Sequence, residues 1–272
     1  MNHPRINDTA ERLLLDLRRD IVMMAEHSAH IGVALSCVDI IAALYGGVLN
    51  CTPQTVNDPA RDRFILSKGH GCMALYAVLA QRDFFDRSLL KTYGRNGSIL
   101  AEHPVAGKVP GIECATGSLG HGLAIGAGMA HGLKLQGVGA RVFVLLGDGE
   151  CGEGSVWEAA ALASAAGLGN LTAIVDMNNL QACGQCSDIS PHVNLIGCWQ
   201  NFGWEASEVD GHDYGELVRE LGRKNDSGKP GVVFCHTVKG KGIDFMERDL
   251  EWHYRPVKGN DRDEALQRLA HA

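Results

Sequence analysis

The most constraining stretch is residues 141–184, RVFVLLGDGECGEGSVWEAAALASAAGLGNLTAIVDMNNLQACG. Residues 141–146 form an apolar, Val-containing run that reads as a buried strand. Gly147-Asp148-Gly149 breaks it. Ser155 is placed to cap a following helix, with Glu158 three positions on to complete a capping box. That helix runs through an Ala-rich stretch and stops near Gly167 and Gly169. Residues 171–175 form a second apolar strand, ending at Asp176-Met177-Asn178-Asn179. Strand, glycine loop, helix and strand make a right-handed unit of an open α/β fold.

The loop Gly147-Asp148-Gly149-Glu150-Cys151-Gly152 fits G-x-G-x-x-G, and Asp176 ends the second strand as a ribose-binding acid would. That is the dinucleotide pattern of an NAD-dependent dehydrogenase. Charge argues against it, because there the pyrophosphate rests on bare backbone N–H groups. Here Asp148, Glu150 and Glu153 surround the position. Two like charges about 4 Å apart at an effective dielectric near 20 repel by roughly 4 kcal/mol. A divalent cation between carboxylate and diphosphate reverses the sign. Mg2+ favours octahedral oxygen coordination from one or two side chains plus substrate phosphates. Asp148 supplies one oxygen. Asn178, at the end of the neighbouring strand, supplies an amide oxygen, and the backbone carbonyl near Leu180 a third. Both strand ends belong to the carboxyl edge of the sheet, where open α/β folds bind ligands.

GDG followed some thirty residues later by Asn resembles the thiamine-diphosphate signature, and the flanking words GDGECGEGSVWEA and AIVDMNNLQACG are similar to those of transketolases. The resemblance extends over nearly the whole chain. RDRFILSKGHGCMA (61–74) is similar to the family's R-D-R-F-x-L-S-x-G-H-G. Ser28-Ala29-His30-Ile31-Gly32-Val33 resembles S-G-H-P-G-A, with Ala29 and Ile31 in place of Gly and Pro. Glu102-His103-Pro104 resembles G-H-P, and GIECATGSLGHG (111–122) resembles T-G-P-L-G-Q-G, with Ser118 for Pro and His121 for Gln. Near the end, His253 matches a family histidine, but Tyr254 stands where Gly is usual.

The resemblance implies a thiamine-diphosphate-binding fold, a mostly parallel sheet with helices on both faces, spanning residues 1–272 as one diphosphate-binding domain. It implies thiamine diphosphate and Mg2+ (or Ca2+ or Mn2+) as cofactors, the metal held by Asp148, Asn178 and the Leu180 carbonyl. His70, Gly117, Ser118, Leu119, Gly149 and Glu150 would join these three around the cofactor. His30, His103 and His253 would hydrogen-bond the substrate oxyanion and transfer protons, with Glu158 and Glu153 matching acids at the subunit contact. The implied reaction moves a two-carbon ketol unit from a ketose or ketose phosphate to an aldose. The pyrimidine-binding and C-terminal domains of the family are absent. They are expected on a separate C-terminal transketolase subunit, in a heterotetramer with two copies of each chain. The departures at Ala29, Ile31, Glu102, Tyr254 and Arg255 point to an unusual sugar. The rivals within thiamine enzymes are the α subunit of a 2-oxo acid dehydrogenase and a deoxyxylulose-phosphate-synthase-like protein. The stretch at 61–71 and the His103 loop favour transketolase over both. A non-catalytic relic would have no need to keep Asp148, Asn178 and four histidines.

The bulk properties agree. A chain of 272 residues can bury a full-sized α/β core. Net charge is 25 minus 32, or −7, against the basic stripe of a nucleic-acid binder. No run of 18 uninterrupted apolar residues suggests a membrane span, and the polar opening MNHPRINDTAERLLLDLRRD does not read as a signal peptide. Nine scattered cysteines imply reduced thiols in the cytoplasm, and Cys183-x-x-Cys186 has no second ligand pair that would make a zinc site.

Further elements are expected as helices over 8–29, 37–48, 72–82, 119–134 and 193–201, with one more ending near Lys224, as a helix and then a turn over 84–97, and as strands over 64–66, 204–209 and 231–237. His70 opens the helix at 72, where a helix N-terminus favours the neutral imidazole. The glycine-rich helix after Leu119 needs a packing reason, since each Gly costs about 1 kcal/mol relative to Ala. Close approach of another helix, within the chain or across a subunit contact, is the expected one. Lys239-Gly240-Lys241-Gly242 lacks Walker spacing and His212 reads as structural.

Overall fold

The computed structural model describes residues 6–26, 28–190, 194–225 and 227–270. Five strands make one parallel sheet: β1 (Arg63–Leu66), β2 (Val142–Gly147), β3 (Leu171–Met177), β4 (Glu205–Asp210) and β5 (Gly231–His236), in the order β1-β2-β3-β5-β4. Strand residues alternate between two buried clusters. Phe64, Leu66, Phe143, Leu145, Ile174 and Val233 face one. Ile65, Val144, Leu146, Ala173, Val175 and Phe234 face the other. A parallel sheet covered on both faces has this property, and it explains why β1, β2, β3 and β5 read as apolar runs, while the edge strand β4 (EASEVD) stays largely polar.

The first face carries α1 (Ile6–Met24), α2 (Ile31–Ala43), α3 (Cys72–Gln81), α8 (Tyr214–Leu221) and α9 (Asn260–Ala270). The second carries α4 (His121–Leu135), α5 (Gly154–Ala165) and α7 (Leu195–Asn201); a short α6 (Cys186–Ile189) follows β3. The fold class expected from sequence is the one observed.

Several boundaries differ. The first helix begins at Ile6, so Asp8 and Thr9 lie inside it rather than capping it, and it ends at Met24. The second starts at Ile31 and continues as a π-helical turn, Leu44–Val48. The resulting segment, Ile31–Val48, is apolar and long enough to cross a membrane by length and composition alone, yet 89% of it is buried in the fold. Interspersed Ser36, Asp39 and glycines hid its length from a search for uninterrupted apolar runs. Of the helix and turn expected over 84–97, the helical part is only a 3-10 segment, Arg87–Thr92, after a left-handed Asp83. The seventh helix starts at Leu195, and its expected first residue, Val193, lies outside the described residues.

The capping box at Ser155 does not form. Glu153 is the N-cap of α5 without a side-chain cap bond, and Ser155 Oγ instead donates to the Gly120 carbonyl at 3.0 Å. The glycines of α4 are explained differently from expectation. A Cβ on Gly126 would lie 2.4 Å from Val144 Cγ2, and one on Gly122 would meet Ser67. The sheet, not another helix, demands them. Gly128 and Gly132 face open space.

Candidate active site

The segments bearing Lys68 and His70, Asp148, Asn178 and Leu180, and Lys239 follow the carboxyl ends of β1, β2, β3 and β5, while His30 and His103 reach the same place from loops between helical segments. At its centre is a buried ion pair. Asp176, fully buried near the end of β3, pairs with Lys68, itself buried just beyond β1. Ser36 Oγ donates to the same carboxylate at 2.6 and 2.7 Å, Asn178 Nδ2 at 3.2 Å, and Thr237 Oγ1 also donates. Burial alone would raise Asp176, but the Lys68 charge and these bonds outweigh it and hold the carboxyl below its ordinary range. Asp176 is therefore spent inside the protein and is not a ribose ligand. One partner removed would leave a buried charge uncompensated.

Asp148 sits beside this pair. Its carboxylate accepts from Gly149 N at 2.7 Å and Asn179 N at 2.6 Å. Burial and the Asp176 charge raise its pKa, so it is an acid short of positive charge. Asn178 Oδ1 accepts from Leu180 N at 3.0 Å, in a turn that presents the amide oxygen at the strand end. Lys239 Nζ reaches the Leu180 carbonyl at 3.2 Å and His253 Nδ1 at 2.7 Å. Burial, then Lys68, lowers Lys239 to about 8, while Asp148 and Asp176 oppose the shift. An ammonium thus already stands on one of the oxygens expected to bind metal, among the same acids. One carboxylate, one amide oxygen and one carbonyl are a hard-cation donor set with room for phosphate oxygens, so the residues present fit a divalent ion and a diphosphate. A Cβ at Gly149 would lie 2.5 Å from Gln181 Cγ, so the Gln181 side chain packs directly over this glycine.

Glu150 departs from expectation. It is 3% exposed, and its oxygens accept from Ser67 Oγ, Gly120 N at 2.9 Å and Gly147 N at 3.1 Å. With its oxygens so engaged, the Glu150 side chain ties the ends of β1 and β2 to the start of α4 and is not turned outward as the expectation required.

The four histidines, 30, 70, 103 and 253, converge. Ring centroids of His30 lie 5.2 Å from His70, 6.4 Å from His103 and 5.1 Å from His253. His30 is left-handed (φ 73°) at the start of α2, and its N–H donates to the His253 carbonyl at 2.9 Å. A left-handed non-glycine residue stores strain of about 1–3 kcal/mol, held here by the surrounding structure. Burial, then His103, lowers His30 to about 4; burial, then Lys239, lowers His253 to about 3; burial, then Lys68, pushes His70 well below its ordinary value. These three imidazoles are neutral near pH 7. His30 Nδ1 is buried and has no hydrogen-bond partner among the described residues. His103 packs on Gly117, where a Cβ would lie 2.6 Å from its ring. No group of three His, Cys, Asp or Glu among the described residues has metal-binding geometry.

Other expected residues are less central. Gly117 (φ 136°) and Leu119 are half-buried, and Ser118 between them is exposed. Glu158 is exposed on α5 and does not join the histidines, and Glu153 is exposed at the N-cap. His212 has a structural place: Nδ1 donates to Asp39 at 2.6 Å and Nε2 accepts from Val238 N at 2.9 Å, one residue before Lys239. All nine cysteines are free. Lys68, Lys239, Ser36 and Thr237 had no site role in the sequence reading. The available signal was a charge directly after a buried strand, as at Ser67-Lys68 and Val175-Asp176, which must find a partner.

A parallel sheet joining an acidic glycine turn to neutral histidines at one edge defines the thiamine-diphosphate-binding class. Residues 8–271 match the family described as transketolase, thiamine diphosphate binding domain, and the chain belongs to the transketolase family. It is 42% identical over 265 residues to an apulose-4-phosphate transketolase subunit of Actinobacillus succinogenes, covering 96% of each chain. It is 39% identical to the 6-deoxy-6-sulfo-D-fructose transketolase subunit SqwG of a Clostridium species, covering 82% of each. The structure resembles transketolase from Campylobacter jejuni (TM-score 0.87, 29% identity), covering 99% of this chain and 43% of that one. In extent the chain corresponds to the N-terminal subunit of a transketolase divided between two polypeptides.

Proposed function

We propose that this chain, with a partner subunit carrying the pyrimidine-binding domain, transfers a two-carbon ketol unit from a ketose to an aldose. The observation that carries the reading is the shared edge, where Asp148, Asn178 and the Leu180 carbonyl adjoin three histidines held neutral. Asp148, Asn178 and the Leu180 carbonyl would hold Mg2+, and Lys239 would turn to the diphosphate once a metal takes its place. When bound, thiamine diphosphate supplies the carbanion chemistry that breaks and remakes the bond between C2 and C3 of the sugar.

The chain's own residues supply position and protons. A neutral imidazole carries one donor and one acceptor. Lys239 donates to His253 Nδ1, which assigns the ring proton to Nε2 and leaves it free to donate to a sugar oxygen. His30 has no ring hydrogen bond among the described residues and its Nδ1 is buried, so its other ring nitrogen, Nε2, would accept the proton of the donor's C3 hydroxyl or return it to the product. His103, against Gly117, borders the same space.

The names of the two relatives describe a sugar phosphate and a sulfo sugar, which supports a ketose with an anionic terminus. Recognition of that terminus is assigned in part to the partner. This chain forms one diphosphate-binding domain, two copies of it assemble with two of the partner as a heterotetramer, and the complex works in the cytoplasm. Exposed Ile125, Leu135 and Leu162 on α4 and α5, with open Gly128 and Gly132, support a subunit contact there. The test is reconstitution with Mg2+ and thiamine diphosphate. Ketol transfer should need both chains; transfer by this chain alone at a normal rate, or 2-oxo acid decarboxylation coupled to acyl transfer instead, would overturn the reading.

A further inference from the structure

One aromatic side chain at the mouth of the histidine cluster has no task in binding the cofactor. Tyr254 is 62% exposed. Its ring meets His253 edge-on at 4.6 Å and His30 at 5.4 Å. Its phenol has no hydrogen-bond partner among the described residues. Depth increases away from it: His253 is 7% exposed, and the Lys68–Asp176 pair is at most 2% exposed. A sugar whose reacting carbons lie among His30 and His253 must run its remaining carbons outward, past Tyr254.

The surrounding charges set what the rim can recognise. Arg255 stacks 4.6 Å over Trp252 and pairs with Glu251 and Asp261. Lys239 is turned inward to Leu180 and His253. What this rim offers is neutral: imidazole edges and one unpaired phenol, suited to hydroxyl groups rather than to a phosphate. An exposed ring with an unpaired hydroxyl adds little to folding, but it combines an apolar face with a polar tip, as a carbohydrate contact requires.

We propose that Tyr254 contacts the substrate, hydrogen-bonding a hydroxyl beyond the cleaved bond and so favouring polyhydroxylated ketoses over short ketol donors. This rests on the ketol-transfer reading above. The step is non-covalent, so a specificity change without a chemical defect is the expected signature.

The experiment compares wild type and Tyr254→Phe, each with the partner subunit, thiamine diphosphate and Mg2+, on a five- or six-carbon ketose phosphate and on hydroxypyruvate, which lacks the outer hydroxyls. A five-carbon polyol is titrated calorimetrically into the same complexes. The ketose KM and the polyol Kd should rise about three- to tenfold, as for one neutral hydrogen bond. The ketose kcat and the hydroxypyruvate kcat/KM should stay unchanged. An unmoved ketose KM and polyol Kd, or equal losses with ketose and hydroxypyruvate, would overturn the proposal. If the wild-type complex transfers no ketol unit from any donor, the functional reading fails instead, and the polyol titration still decides the role of Tyr254.

Discussion

The two ends of the sheet's carboxyl edge are built on opposite principles. At one end, Asp148, Asp176, Lys68 and Lys239 crowd formal charges into a buried space, and nearly every polar atom is engaged. At the other, His30, His70 and His253 are stripped of charge by burial, and one ring nitrogen is left unpaired. The charged end suits a fixed anchor, because dense pairing in low dielectric resists movement. The neutral end suits proton traffic, because an imidazole must both give and take. Lys239 joins them, touching the Leu180 carbonyl on one side and His253 on the other.

The largest expected effect breaks the charged end. Lys68→Met should destabilise the fold by about 3–5 kcal/mol, because Asp176 stays buried without its counter-ion. Urea unfolding measures it, and pairing the change with Asp176→Leu should recover most of the loss. Next, Asp148→Ala should weaken Mg2+-dependent thiamine diphosphate binding by about a hundredfold, the upper range for groups that support a metal; calorimetry reads it out. The neutral end should behave differently. His30→Asn should lower kcat/KM for ketol transfer about tenfold, one lost hydrogen bond at the reacting oxygen, with cofactor affinity unchanged. If cofactor affinity fell as much, the two ends would not be separable.

The smallest effect concerns pH. His30 and His253 titrate at about 4 and about 3 in the fold, against an ordinary value of 6.5. Below 6.5 the unfolded chain binds more protons, so their contribution is complete above that pH and is lost as pH falls towards 4 and 3. The urea midpoint should therefore drop from about pH 7 to about pH 5 by less in His30→Asn than in wild type. Equal drops would mean that His30 is not held neutral.

How much of this was legible depended on sequence distance. The glycine turn, Asp148 and Asn178 were readable because each stands at a strand end within one strand–helix–strand unit. The histidines could be assigned to one edge from the order of elements, although only the structure brings His30 and His253 to 5.1 Å. The Lys68–Asp176 pair was not readable, since its members lie 108 positions apart and meet only when the sheet forms. Glu150 was misread for a related reason: its position in the turn suggested a ligand, while its partners Ser67 and Gly120 come from other segments. Ser155 fitted a local capping rule but found Gly120 instead.

The most direct test of the anchor is the affinity of the wild-type complex for thiamine diphosphate with saturating Mg2+ and again in EDTA. Removal of the metal should abolish measurable binding, because the diphosphate would then face the Asp148 carboxylate directly. Equal affinity in the two conditions would contradict the bridging role assigned to Asp148, Asn178 and the Leu180 carbonyl.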